Sequence, residues 1–191
     1  MSEWAKLRTF QGSQQTAFEE LCCQLARRDI VSAGARFTRK GAPDAGVECY
    51  WLLSDGTEHA WQAKFFLSVP GPAQWRQLKE SFSTAVGKHL RMTRYVVCVP
   101  LDRADPRVEG QTSFAEKWDE FAVWCAGQAA GRTIKVEYWG NSEIFDRLSR
   151  QEHQGRYQFW FNSERFTTEW FRQRLDEAID NAGDRCSPKL N

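Results

Sequence analysis

The sequence predicts an α/β protein in which one mixed sheet carries helices on both faces. Three observations lead there. Stretches with apolar residues at helical spacing alternate along the chain with short aliphatic or aromatic runs. Two of those runs are joined by the tight SDGT turn at 54–57, which makes them a hairpin. The length of 191 residues, with 41% apolar and 27% charged side chains, suffices for a single sizeable core.

Taken in order, residues 14–28 read as a helix whose Phe18, Leu21, Cys22 and Leu25 form one stripe. At about 100° per residue, Glu19 falls at the edge of that stripe beside Ala26, and Glu20 points away from it. Ile30–Thr38 reads as a strand, and RKGAPDAG is a Gly/Pro-punctuated approach to the next one. The hairpin strands are Val47–Leu53 and Glu58–Phe66. A helix at Ala73–His89 follows, then a buried strand at Arg94–Val99, the loop 100–111 and a helix at Ser113–Ala129. Strand Thr133–Trp139 leads into a short helix capped by Asn141 or Ser142. An aromatic stretch, RYQFWFN, and a last helix at Thr167–Ala182 complete the chain. The first half is thus ordered α-β-β-β-α-β.

Composition excludes several classes. No apolar run approaches the roughly 18 residues of a membrane span, and the opening MSEWAKLRTFQGSQQ lacks a signal-peptide core, so a cytoplasmic location is expected. The six cysteines show no CxxC spacing and sit mostly in apolar stretches, which predicts small buried thiols rather than zinc ligands or disulfides. Adjacent Cys22 and Cys23 are expected to point to different sides of their helix. The three histidines are far apart, and neither a GxSxG elbow nor a phosphate-binding GxxxxGK[ST] loop is present. Net charge is only +1, yet the first hundred residues carry 13 basic and 9 acidic side chains. The tryptophans at 61, 75, 118, 124, 139, 160 and 170 fall mostly on apolar stripes, which reads as core or partner interface rather than base stacking.

The chemistry concentrates in residues 41–66. Side chains alternate along a strand, so Trp61, Ala63 and Phe65 point one way and Gln62 and Lys64 the other. In the preceding strand Val47, Cys49, Trp51 and Leu53 form the apolar set, with Glu48 opposite. Glu48, Gln62 and Lys64 then converge on one side of the hairpin, with Asp44 just before it and Glu19 on the neighbouring helix. Carboxylates, an amide oxygen and a lysine suit a hard cation such as Mg²⁺, which takes oxygen ligands and keeps waters. Taken singly, a strand-borne Gln and Lys are usually a solvated face and Asp44 a turn residue; the ordered set is what carries weight.

That ordered set, FEEL…RKGAPDAGVE…WQAKFF, resembles the PD-(D/E)XK nuclease superfamily in its Mrr-like branch, where Gln replaces the second acid of the motif. WQAKFFLS, QWRQLKES, TRYVVCVPLDRADPR and WGNSEIFDRL with RYQFWFN extend the likeness over nearly the whole chain. They resemble the N-terminal nuclease domains of Avs-type STAND NTPases and the double-strand DNA endonucleases of CBASS systems, both bacterial antiviral proteins. The resemblance implies a restriction-endonuclease-like αβββαβ core and Mg²⁺-dependent cleavage of double-stranded DNA, with Mn²⁺ substituting. It also implies an NTPase or sensor partner and a homo-oligomer when active. Residues 1–191 are then a single nuclease domain, an excised or separately encoded part of a larger protein, with 183–191 beginning a linker.

Carried over by position, Lys64 is the motif lysine and Gln62 the Gln of QxK. Asp44 is the literal PD aspartate, 18 residues before Gln62; Glu48, 14 before it, matches the second acid of the Mrr-like DxGxD pattern with Glu for Asp. Glu48 is favoured as the direct ligand, Asp44 as a second ligand or a holder of water, and Glu19 as the helix acid, with Glu20 as its substitute. Arg36, Arg39, Lys40, Arg76 and Lys79 are the candidate phosphate contacts, each equally readable as ordinary surface. The alternative to an enzyme is a catalytically inactive module of the same fold for DNA binding or assembly.

Overall fold

Ser13 starts the first helix: its hydroxyl accepts from the Thr16 N–H at 3.0 Å, satisfying one of the amides left open at a helix N-terminus. This helix, α1, spans Gln14–Ala26. It stops short of Arg28 because the backbone tightens there, with Arg28 and Asp29 donating to Leu25 and Ala26 at i→i−3 spacing. The computed structural model describes residues 3–29, 32–41, 46–105, 112–161 and 168–182.

The strands are β1 (Arg36–Arg39), β2 (Cys49–Leu52), β3 (Glu58–Ala63), β4 (Met92–Cys98) and β5 (Lys135–Trp139). Between and after them run α2 (Pro72–Lys88), α3 (Phe114–Gln128), α4 (Asn141–Ser149) and α5 (Gln154–Phe161). The order α1-β1-β2-β3-α2-β4 is the one the sequence predicts. Strand β1 starts later than expected, since Ala35 closes a turn onto Ser32 at 3.2 Å; Ile30 and Val31 lie outside the described residues. The aromatic stretch proves helical, as α5.

The five strands lie side by side in chain order. β1, β2 and β3 pair antiparallel, and β3, β4 and β5 pair parallel, so the sheet is mixed. One face carries α1, α4 and α5 over Cys49, Trp61, Ala63, Val96, Cys98 and Trp139. The other carries α2 and α3 over Ala60, Tyr95, Val97 and Val99. Burying a side chain such as Trp61 or Phe82 contributes roughly 2–3 kcal/mol, and both faces are aromatic throughout.

Three sequence expectations change. Val47 does not join Cys49 and Trp51 but packs with the α2–α3 core; regular pairing begins only at Cys49, after Gly46 turns the chain at φ +80°. Cys22 and Cys23 do not diverge into different surroundings. Both are buried in the α1 core, Cys22 against Cys98 and Cys23 against Cys49, because α1 lies flat and its 100° step straddles two strands. Burial pushes the Cys22 and Cys49 thiols well above their ordinary value, and the five described cysteines are free; Cys186 lies outside the described residues. Finally, neither Asn141 nor Ser142 caps α4. The N-cap is Gly140, and Asp102 does the capping from another loop, accepting from the Ser142 N–H at 2.8 Å and its hydroxyl at 2.6 Å.

Of the named tryptophans, 61, 118, 139 and 160 are buried and 75 and 124 pack against the α2–α3 core; the Trp170 side chain lies outside the description. The chain forms two compact units, Met1–Phe161 and Asn162–Asn191. The described part of the second is one helix, α6 (Thr168–Ala182), on which Phe171, Leu175 and Ile179 recur at helical spacing. No described helix is long and apolar enough to cross a membrane.

Candidate active site

Register builds the site. Cys49 faces Trp61 across the antiparallel β2–β3 pair, and the Glu48 N–H donates to the Trp61 carbonyl at 2.8 Å. The regular ladder ends there, since Glu48 and Cys49 both address Trp61, and the Glu48 side chain meets that of Gln62 just beyond the last regular pair. Gln62 Nε2 donates to Glu48 Oε1 at 2.7 Å and to the Ala63 carbonyl at 3.2 Å. Glu48 is 6% exposed and Gln62 fully buried. Gln62 Oε1 is buried and, among the described residues, has no hydrogen-bond partner. Such an orphaned acceptor costs roughly 1–3 kcal/mol, a cost that a ligand at that oxygen would remove.

Lys64 comes directly after β3 and prolongs its ladder, donating from its backbone to Cys98 at 2.9 Å. Ala63 and Phe65 belong to the α1 face, and Ala60 and Phe66 to the α2 face. Alternation therefore puts Lys64 on the α2 side with Gln62. It is half-buried, and among the described residues its ammonium makes no hydrogen bond or ion pair.

Gly46 holds the approach to Glu48. A Cβ there would stand 2.2 Å from the Ser81 carbonyl oxygen and 2.9 Å from the Ala85 nitrogen of α2. Its positive φ already favours glycine, and the buried Tyr95 hydroxyl donates to its carbonyl at 3.1 Å. The segment before the strand is thus pinned to both α2 and β4.

A third strand contributes an arginine. Arg39 Nη1 lies 3.7 Å from Glu48 Oε2 and donates to the Glu48 backbone carbonyl at 3.1 Å, while Nε donates to Glu20 Oε2 at 3.3 Å. Burial lowers the affinity of this guanidinium for its proton, but its surroundings, the carboxylates of Glu20 and Glu48 among them, outweigh that and raise it. Glu20, which the helical wheel turns away from the stripe, is therefore tied to the site by the length of the arginine arm. Glu19 instead accepts from the Gln15 amide at 3.1 Å at the protein surface.

The remaining candidates are more scattered. Asp44 lies outside the described residues. Lys40 stands opposite Glu48, its N–H donating to the Glu48 carbonyl at 2.8 Å and its ammonium 5.3 Å from the Tyr50 ring. Arg36 is exposed. On α2, Arg76 is exposed beside Glu80 at 4.0 Å, and Lys79 lies 5.2 Å from the Trp124 ring. Among the described residues no group of three or more His, Cys, Asp or Glu side chains forms a metal cluster. Two oxygen-bearing side chains, Glu48 and Gln62, are what the described structure offers a hard cation. They fit one that keeps several waters.

Sequence reading overlooked the Arg39–Glu48 contact and the role of Gly46. A signal for the first existed: opposite charges at 39 and 48 become neighbours once β1 and β2 pair with Arg39 opposite Cys49. No protein-family model matches the chain, and no curated protein matches it.

Proposed function

We propose that this chain is a divalent-metal-dependent endonuclease that hydrolyses phosphodiester bonds in double-stranded DNA. In this reading the fold is restriction-endonuclease-like and Mrr-like, and the domain is the effector of a bacterial antiviral system, working with an NTPase sensor and as a homo-oligomer. The observation that carries it is the buried, hydrogen-bonded Glu48–Gln62 pair with one amide oxygen left without a partner among the described residues, and Lys64 two positions on along the same face.

Glu48 and Gln62 would hold Mg²⁺ or Mn²⁺, with Asp44 as a further candidate and Glu20, rather than Glu19, as the helix acid nearest the site. When bound, the ion supplies an acidified water and charge neutralisation at the scissile phosphate. Lys64 supplies a rotatable ammonium with three donors, suited to orienting an attacking water or stabilising charge that develops on phosphate oxygens. The walls of the site exclude bulk water around Gln62, which strengthens every such interaction. Lys40 and, further out, Arg76 and Lys79 provide phosphate contacts without base readout.

A second reading, a DNA-binding module that does not cut, is favoured by one observation: two protein oxygens are a sparse shell. Plasmid cleavage separates the two. Wild type, at concentrations that permit dimerisation, is expected to nick supercoiled DNA with Mg²⁺ and to stop with EDTA, and Lys64→Ala to be inactive but folded. Cutting by Lys64→Ala at the wild-type rate would remove the lysine from the chemistry. Tight DNA binding with no cleavage under any divalent ion would favour the second reading.

A further inference from the structure

The Glu48 carboxylate is buried, and burying a charge without a counter-charge is costly. Its counter-charge is Arg39, which reaches it from an edge strand and is itself about a third exposed. The contact with the carboxylate is long. At 3.7 Å between Nη1 and Oε2 it is an ion pair rather than a hydrogen bond, whereas the same Nη1 is hydrogen-bonded to the Glu48 backbone carbonyl at 3.1 Å and Nε to Glu20 at 3.3 Å. One end of the guanidinium is therefore anchored on α1 and the other rests on the candidate ligand.

Resting on the nuclease reading above, we propose that Arg39 is a positioning residue with two states. Without metal it neutralises Glu48; with metal it gives up that carboxylate and offers its fork to a substrate phosphate oxygen. Three observations support this. A divalent ion at Glu48 would repel a guanidinium 3.7 Å from the same carboxylate. The Glu20 anchor keeps Arg39 at the rim when it lets go. A guanidinium presents five donors in a planar fork, which matches phosphate as well as carboxylate. Arg39 is thus at once a competitor of the cation and a contact that becomes available only after the cation has bound. DNA and metal should reinforce one another through it.

The test reads binding. Thermal melting is followed against Mn²⁺ for wild type, Arg39→Ala, Arg39→Gln and Glu48→Gln, with Lys88→Ala, an exposed charge removed elsewhere, as control. The Mn²⁺ midpoint should fall about three- to tenfold in Arg39→Ala, as expected when a competing unit charge is removed, and stay unchanged in Lys88→Ala. DNA binding is then measured against salt by fluorescence anisotropy with Ca²⁺ and with EDTA. Arg39→Ala should lower the salt slope by about one phosphate contact with Ca²⁺ and leave it unchanged with EDTA. An unchanged or higher Mn²⁺ midpoint in Arg39→Ala, or an equal loss of slope with and without Ca²⁺, overturns the two-state role while the nuclease reading stands. A full Mn²⁺ response in Glu48→Gln overturns both. Should Arg39→Ala not fold, Arg39→Gln gives the same comparison, since it removes the charge and keeps most of the arm's volume.

Discussion

Two charged clusters occupy opposite ends of the sheet, and they are built differently. Near the start of β4, Arg94 donates to Asp29 at 2.6 Å and to both Glu137 oxygens at 3.0 and 2.8 Å, and Arg147 reaches Asp29 at 3.0 Å. Both guanidiniums also lie over rings, Arg94 at 5.2 Å from Trp61 and Arg147 at 3.8 Å from Trp139. At the far end of β3, Glu20, Arg39 and Glu48 are joined at 3.3 and 3.7 Å, and Gln62 Oε1 has no hydrogen-bond partner among the described residues. Short ion pairs tie Asp29, β4, β5 and α4 together, although the buried Arg147 Nε has no hydrogen-bond partner among the described residues. Loose charges beside an orphaned acceptor leave room for something to bind. The difference between a strut and a site lies in how closely the guanidiniums hold their carboxylates, at 2.6 to 3.0 Å in the one and 3.3 and 3.7 Å in the other.

The largest effect that would sharpen this contrast is at Lys64. Lys64→Ala is expected to cut plasmid nicking by at least about 100-fold, on the scale of losing one group that stabilises transition-state charge, with the melting temperature unchanged. Arg94→Met should do the reverse. Leaving Asp29 and Glu137 short of their main partner should cost about 3 kcal/mol in urea unfolding, while the Mn²⁺ midpoint and cleavage below the transition stay at wild-type values. A loss of metal response in Arg94→Met would break the division between strut and site.

Gly46→Ala belongs to both regions, because it perturbs the approach to Glu48 through packing alone. A methyl group 2.2 Å from the Ser81 carbonyl, on a backbone at φ +80°, should destabilise by about 2–3 kcal/mol. It should weaken cleavage as well, since the entry to Glu48 must shift. Wild-type stability in that variant would mean that α2 and the Glu48 segment are not in tight contact.

The smallest effect is in pH. Burial works against ionisation of Glu137, but hydrogen bonds from Arg94 and Lys135 and their charges prevail, holding its pKa down at about 2 from an ordinary 4.5. A carboxylate whose folded value is depressed contributes stability that is fully present above about 4.5 and is lost as pH falls towards 2. Discounted for its partial exposure, that amounts to about 1–2 kcal/mol. Glu137→Gln should therefore flatten the acid side of the stability curve between those values, read by denaturant melts at several pH values. An unchanged acid slope would show that Glu137 contributes nothing there.

Much of the site could be read in one dimension because its geometry is that of adjacent strands. Gln62 and Lys64 share a face by a period of two, and the turn at 54–57 brings the end of β2 beside the end of β3, where Glu48 meets Gln62. The parts that escaped depend on contacts between distant segments. Arg39 needed the β1–β2 pairing, Gly46 needed the backbone of α2, and the capping of α4 by Asp102 joins residues 40 positions apart. Cys22 and Cys23 were misjudged because a helical wheel gives angles but not the width of the surface beneath.

Local periodicity, turn chemistry and the alternation of side chains were settled by the order of amino acids alone, since each acts over a few residues. They determined the α-β-β-β-α-β succession, the two-sided sheet and the pairing of Glu48 with Gln62. Which charges would be closely held and which left loose was decided only by the folded chain. That outcome depends on distances between segments far apart in sequence, and at 3 to 4 Å small displacements separate a hydrogen bond from an exchangeable ion pair.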